Sequence, residues 1–293
     1  MQGKNKNSIY NPLIAANELG KIQFNAEVII VDASSGPQAK SNYEQKHIAG
    51  ALFIDLNTDL AEIEEDVSIG GRHPLPSLVA FAQTLSRLGI TPQSHVVIYD
   101  DKYGSIASAR LWWMLNAIGH EKVQVLNGGL QAAERAGIEL NNLPVTARPN
   151  HYGKISKWNL PLTAIDEVAQ EAKDSNKVII DVREAGRYRG EFEPIDLIAG
   201  HIPGAINIPF SENLDENGLF LSPEKLKEKY QQIVENHKAS DITVHCGSGV
   251  TACHTLLALA HAGFDLPKLY VGSWSEWSRS GREIALGEEK SPL

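Results

Sequence analysis

Cysteine is nearly absent: Cys246 and Cys253 are the only two in 293 residues. Seven positions apart, they make neither a disulfide framework nor the close spacing of a zinc-ligand pair. A reducing compartment fits them, and a cytoplasmic location is expected. Long apolar runs are also missing, since nothing approaches the ~20 residues a membrane-spanning helix needs. The opening Met1-Gln2-Gly3-Lys4-Asn5-Lys6-Asn7 leads into no apolar stretch of signal-peptide length. Basic charge is in deficit: 27 Lys and Arg against 36 Asp and Glu leave a net charge of -9. That balance opposes non-specific binding to nucleic acid, which requires phosphate neutralisation by Lys and Arg. Neither nucleic acid nor membrane is therefore expected as a partner, and an anionic substrate must be drawn by a local positive site.

What remains is an ordinary globular composition, 42% hydrophobic, in a chain long for one domain and comfortable for two. Residues 12 to 20 read as a short helix closed by Gly20. Val28-Ile29-Ile30-Val31-Asp32 is a continuous apolar run of the kind buried parallel strands show. His47-Ile48-Ala49-Gly50-Ala51 follows, then a loop from Asp55 to Pro76 and a helix near Leu78 to Leu88 with Ser77 as N-cap. A strand at Val96 to Asp100, a helix from Ile106 to Ile118 and a strand at Val123 to Leu126 complete the series. Strands alternating with helices argue a parallel sheet.

From about Leu140 to Leu160 the periodicity lapses, with Pro144, Pro149 and Gly153 as punctuation, which reads as a linker. The order of elements then begins again. A helix from Ala164 to Lys173 precedes Val178-Ile179-Ile180-Asp181 and His201-Ile202-Pro203-Gly204-Ala205. Ser222-Pro223 opens another helix, with Ser as N-cap and Pro in the first turn. Ile242-Thr243-Val244 then runs into Cys246, and Leu269-Tyr270-Val271-Gly272-Ser273-Trp274 closes the series. Asp32 thus matches Asp181, His47 matches His201, and Asp100 falls where the second half has Cys246. The expected organisation is a duplicated α/β domain: residues 1–140, a linker at 141–160, and residues 161–293, with only the second copy keeping the thiol.

The chemistry concentrates in Cys246-Gly247-Ser248-Gly249-Val250-Thr251-Ala252, between the strand and a helical pattern from Cys253 to Gly263. Cys246 then lies at the carboxyl end of a buried strand, where open α/β sheets place their ligands. A loop of small residues lets successive backbone N–H groups converge, and the next helix adds its positive end, so an anion is stabilised there. A thiolate is such an anion, and a nucleophile.

This loop resembles the active-site loop of the rhodanese-type sulfurtransferases, and Cys-Gly-Ser-Gly-Val-Thr looks like the mercaptopyruvate version. The thiosulfate version usually carries basic residues after the Cys; here there are none. His201-Ile202-Pro203-Gly204-Ala205 and Gly272-Ser273-Trp274-Ser275-Glu276-Trp277 resemble the family's early and C-terminal signatures. Ser108-Ala109-Arg110-Leu111-Trp112-Trp113-Met114-Leu115 looks like its first-domain helix. The resemblance covers nearly the whole chain and implies tandem rhodanese-like domains, each a mainly parallel sheet covered by helices. It also implies transfer of sulfane sulfur from a small anionic donor, 3-mercaptopyruvate or thiosulfate, through a persulfide on Cys246. The acceptor would be a thiol, such as thioredoxin or a small thiol, or cyanide, and no metal or organic cofactor is called for.

The matching positions make Cys246 and Ser248 catalytic. The same resemblance implies Arg187 as the anchor of the donor's anionic end, with Gly247, Gly249, Val250, Thr251 and His73 also in the substrate site. A guanidinium suits that anchoring because it is always charged and grips a carboxylate or sulfonate with paired hydrogen bonds. Two departures stand out. The carboxylate that accompanies the family's histidine falls on Asn57, with Asp55 and Asp59 as neighbours. A second family arginine, in a Pro-Glu-Pro-Arg run, is replaced by Glu191-Phe192-Glu193-Pro194-Ile195-Asp196.

His245 precedes Cys246 on the strand, so its side chain is expected on the opposite face, and Cys253 reads as core. A cysteine phosphatase would need an arginine six positions after its nucleophile, where this chain has Ala252. A P-loop would need Gly-Lys-Ser/Thr, which Gly247-Ser248-Gly249 lacks. The non-enzymatic alternative is a sulfur-carrier or regulatory module that does not turn over.

Overall fold

The computed structural model describes residues 11–288. The chain falls into two compact units. The first comprises residues up to Leu60, Pro76–Asn159 and Glu216–Leu219; the second comprises Ala61–Leu75, Leu160–Asp215 and residues from Phe220 onward. Each is built on a five-stranded, wholly parallel sheet. In the first the order is Leu13–Ile14, Val123–Leu126, His95–Tyr99, Val28–Asp32, Leu52–Phe53. In the second it is Leu162–Thr163, Lys268–Tyr270, Ile242–His245, Val178–Asp181, Ile206–Asn207. Strand for strand the two orders are the same, so the repeat seen in the sequence is a repeat of topology.

Sheets covered on both faces need strands apolar on both faces. Accordingly Val123–Leu126, Val178–Asp181 and Ile242–His245 are buried at every position. The helices Ala107–Ala117 and Thr251–His261 are likewise buried around most of their circumference, which is why apolar residues recur on several sides rather than along one stripe, with Ser108, Arg110, His254 and Thr255 buried among them. Ser77 and Ser222 cap their helices as expected, accepting from the amides of Ala80 and Lys225 at 3.3 and 3.4 Å.

The paired histidines have a structural role. The His47 ring stacks on Tyr43 at 4.2 Å, with Nδ1 2.7 Å from the Tyr43 carbonyl. The His201 ring stacks on Tyr188 at 3.8 Å, with Nδ1 2.8 Å from the Tyr188 carbonyl. Each tyrosine hydroxyl donates to the alanine carbonyl that follows the motif's glycine, Ala51 or Ala205. The His-x-x-Gly-Ala pattern thus encodes a ring stack and two hydrogen bonds that turn the chain toward the next strand.

Three elements differ from expectation. Leu13–Ile14 is an edge strand paired with Val125 and Leu126, and the helix runs from Ala16 to Ile22. Two buried leucine-class residues gain more from the sheet edge than from a helical turn, and Gly20 sits inside the helix because a Cβ there would lie 3.0 Å from Ile138 Cδ1. The Asp55–Pro76 loop begins with a helical turn, Leu56–Asp59, capped by Asp55, whose carboxylate accepts from the amides of Asn57 and Thr58. The segment read as a linker has no helix or strand over 142–161, yet it is strapped to the first unit. Asn150 N donates to Ser86 O, Asn159 N donates to Ala117 O, and Trp158 packs by Phe81 and Trp113.

His120 completes that strap, its ring nitrogens 3.1 Å from Tyr152 Oη and 3.0 Å from Ser94 O. Burial pushes its pKa below the ordinary imidazole value. The unfolded chain, with a histidine pKa of about 6.5, therefore takes up a proton first as pH falls. The contribution of neutral His120 to stability is full above that value and is lost as pH drops through the folded one. Urea midpoints measured from pH ~7 to ~5 should fall more steeply for the native chain than for His120→Gln. Parallel slopes would contradict this.

Candidate functional site

The strand Ile242–His245 delivers Cys246 to the carboxyl edge of the second sheet, and the helix Thr251–His261 begins five residues later. Cys246 is 1% exposed, and its Sγ engages no partner among the described residues. The loop is held from the 272–276 side. Trp274 N donates to Cys246 O at 3.0 Å and Ser275 N donates to Gly247 O at 2.8 Å. Cys246 N donates to Ser273 Oγ at 3.2 Å, and that hydroxyl donates on to Tyr270 O at 2.8 Å. Ser273 pays for its position with a left-handed backbone, φ 54°.

Gly249, at φ +73°, is required twice over, because a Cβ there would stand 2.6 Å from Val271 O. From below, the Cys253 thiol donates to Gly249 O at 3.3 Å, so this residue is part of the core and fastens the loop. No protein acceptor takes the backbone N–H of Gly247, Ser248 or Val250 among the described residues. Thr251 opens the helix with its side chain partly exposed.

The first unit shows what this position in the fold can gather. Asp100, at the end of the strand His95–Tyr99, accepts from the amides of Lys102, Gly104, Ile106 and Ser108 at 2.9, 2.8, 3.0 and 3.3 Å. The Ser108 hydroxyl adds a fifth bond at 2.6 Å. A loop between a parallel strand and its helix therefore concentrates donors on an oxygen-bearing group, as the open amides of the Cys246 loop do for whatever they receive.

Charge surrounds the residue after the thiol. A Cβ on Gly247 would lie 3.0 Å from Arg72 Nη2, 3.6 Å from Asp196 Oδ2 and 3.7 Å from Arg187 Nη2. Arg187 donates from Nε and Nη2 to Glu193 and from Nη2 to Asp196, the last at 3.2 Å. Asp196 also accepts from Arg72 Nε at 2.9 Å and from Arg279 Nη1 at 3.5 Å. Burial alone would raise the Glu193 carboxyl, but Arg187 and the amides of Asp196 and Ile195 bring it below the usual carboxylate range. Behind the loop, burial likewise works against ionised Asp181, but the charge and hydrogen bonds of Arg183, at 2.6 Å, together with the neighbouring His245, bring its carboxyl below the usual carboxylate range. His245 is buried with its Nδ1 3.2 Å from Cys246 O and its Nε2 3.7 Å from Asp181, and burial lowers its pKa. It is bonded to the backbone, not to the thiol.

His73 Nδ1 lies 2.7 Å from Ser248 Oγ. This contact is internal to the second unit, to which Ala61–Leu75 belongs although it precedes half of the first unit in sequence. Gly70 N donates to Glu276 Oε1 and Arg72 N to Ser275 Oγ, and a Cβ on Gly71 would lie 2.3 Å from Gly272 O. The nearby acids have other work: Asp55 caps its helix, and Asp59 accepts from Arg87 at 2.5 Å. Cys246, Gly247, Ser248, His73 and Arg187 are thus brought together. Arg72, Arg279, Asp196 and Glu193 were not singled out from the sequence, although an arginine directly before a candidate histidine, after two glycines, was the available signal.

A parallel α/β fold that presents a buried thiol at the carboxyl end of a central strand fits a class, the thiol-centred transferases. A profile of the rhodanese-like domain matches residues 15–136 and 164–280. The chain is 39% identical over 283 residues to a probable 3-mercaptopyruvate sulfurtransferase of Pseudomonas aeruginosa, covering 94% of this chain and 98% of that one. It is 38% identical to the thiosulfate sulfurtransferase of Gallus gallus, covering 85% of each. Among solved structures, the 3-mercaptopyruvate sulfotransferase SseA of Escherichia coli superposes with a TM-score of 0.77 at 30% identity, over 91% of this chain and 100% of that one. The chain belongs to the rhodanese family, as a two-domain sulfurtransferase.

Gly249 and Gly263 separate the two demands on a loop glycine. Both have positive φ, but a Cβ on Gly263 meets nothing within 4 Å. Gly263→Ala should therefore cost only the ~1–2 kcal/mol of a left-handed residue. Gly249→Ala should cost more and should remove sulfur transfer as well. Equal losses of stability, with activity retained, would contradict the packing described.

Proposed function

We propose that Cys246, as thiolate, takes sulfur from 3-mercaptopyruvate or thiosulfate and passes it to a thiol or to cyanide. The observation that carries this reading is a buried thiol whose next residue, Gly247, is flanked by the guanidiniums of Arg72 and Arg187. With 3-mercaptopyruvate, the Cys246 sulfur attacks the donor's sulfur and the donor's C–S bond breaks. The electron pair leaves on carbon as the enolate of pyruvate, which takes the thiol proton, and a persulfide anion remains on Cys246. The covalent intermediate divides one difficult transfer into two. The open amides of Gly247, Ser248 and Val250 are positioned to stabilise the persulfide's charge without rearrangement. An acceptor such as thioredoxin, a small thiol or cyanide then attacks the outer sulfur and restores the thiolate.

Arg187 holds the donor's anionic end, and the Ser248–His73 hydrogen bond supports a proton path at the donor's carbonyl. Gly247, Gly249 and Val250 shape the pocket, and Thr251 lies at its helix edge. The domains that do this are a first rhodanese-like unit without the thiol and a second with it. Both cysteines are free thiols, which suits the reducing cytoplasm. No helix among the described residues is long and apolar enough to cross a membrane.

3-Mercaptopyruvate is the preferred donor, because the loop carries no cation of its own after Cys246. Steady-state kinetics with both donors test this directly: kcat/KM should be higher for 3-mercaptopyruvate, and the reverse order would overturn the preference. Cys246→Ser should abolish transfer, since an alkoxide is far less accessible than a thiolate at neutral pH. Arg187→Ala should chiefly raise KM, by about tenfold to a hundredfold for ~1.5–3 kcal/mol of charged hydrogen bonds. Glu193 keeps Arg183 at 3.3 Å in that variant, so folding should survive. Activity persisting in Cys246→Ser would sink the assignment.

A further inference from the structure

We propose that Arg72 is the second cation for the donor's anionic group, held in place by Asp196; this rests on the sulfur-transfer reading of the Cys246 loop. In a Pro-Glu-Pro-Arg run the arginine directly follows Glu-Pro; here Glu193-Pro194 is followed by the apolar Ile195, and Asp196 comes next. The structure shows what that acid does. The Asp196 side chain is 0% exposed and accepts from three guanidiniums: Arg72, Arg187 and Arg279. A buried carboxylate needs compensation, but three cations exceed it. With Arg183 counted against Asp181 and Glu193, the cluster holds four arginines (72, 183, 187, 279) and three carboxylates (181, 193, 196), leaving one positive charge.

That charge faces the thiol loop. Arg72 Nη2 lies 3.0 Å from where a Cβ on Gly247 would be, nearer than Arg187 Nη2 at 3.7 Å. Arg72 is fixed through Nε and Nη2 to Asp196 alone among side chains, and its side chain is 26% exposed, so Nη1 remains available to a ligand. Its backbone is fixed as well, by the bond from Arg72 N to Ser275 Oγ. A guanidinium held at its base with its outer edge open is suited to a carboxylate or sulfonate, which it engages through parallel N–H bonds. Asp196 thus holds a second cation at the loop although Ile195 supplies none: the positive charge comes from residues 61–75 and not from the segment after Arg187.

The test uses the full-length chain and two measurements. In steady state, Arg72→Met should raise KM for 3-mercaptopyruvate and for thiosulfate by about tenfold to a hundredfold. The KM for 2-mercaptoethanol, a neutral acceptor, should not move. Arg72→Lys, which keeps the charge without the fork, should recover part of the donor KM. The second measurement is calorimetric binding of thiosulfate and pyruvate to Cys246→Ser, with and without Arg72→Met, where the same weakening should appear. Donor KM and anion affinity unchanged in Arg72→Met would overturn the proposal. A parallel rise in the KM values for donor and acceptor would overturn it too, by assigning Arg72 a structural role. Failure of the native chain to transfer sulfur would refute the sulfur-transfer reading instead, and the anion affinities in Cys246→Ser would still decide the role of Arg72.

Discussion

Two backbone hydrogen bonds set the geometry on which the site depends, those from Trp274 and Ser275 to the carbonyls of Cys246 and Gly247. A five-residue passage from strand to helix has its own conformational freedom, and reactive geometry requires that freedom to be removed in advance. The segment 272–276 removes it. Its backbone holds the thiol loop, the Ser275 hydroxyl and the Glu276 carboxylate hold residues 70–72, and Trp274 Nε1 donates to Ile198 O beside the arginine cluster. One short helical turn therefore fixes the thiol, the histidine segment and the chain that carries Asp196. The left-handed Ser273 is the strain that accompanies this arrangement.

The duplication displays the same architecture put to two uses. The sheet orders coincide, and the Tyr–His stacks coincide down to their carbonyl partners. At the strand end, however, Asp100 satisfies its loop's amides internally, while Cys246 leaves three amides open. Closing that network gives a stable turn. Leaving those amides without a protein acceptor keeps donors for a ligand.

Much of this was legible in the sequence because it rests on short-range rules. Apolar runs such as Val28–Asp32 and Ile242–His245 declare buried parallel strands, and Ser77 and Ser222 declare helix starts. The loop Gly247-Ser248-Gly249 declares close backbone packing, which Gly249 fulfils against Val271. The paired Leu13–Ile14 edge strand was missed because two residues carry no period. The arginine cluster was missed for a different reason. Arg72, Arg187, Asp196 and Arg279 are spread along the sequence and meet only through tertiary packing, so the loss of one family arginine read as a missing charge. The same limit hid the place of residues 61–75, which belong to the second unit although they interrupt the first.

The central claim is that sulfur passes through Cys246. Peptide mass spectrometry of the chain mixed with 3-mercaptopyruvate, before and after a thiol acceptor is added, tests it most directly. The account predicts that the Cys246 peptide gains the mass of one sulfur atom with donor and loses it to acceptor, while the Cys253 peptide is unchanged. Sulfur on Cys253, or turnover with no gain on Cys246, would contradict it.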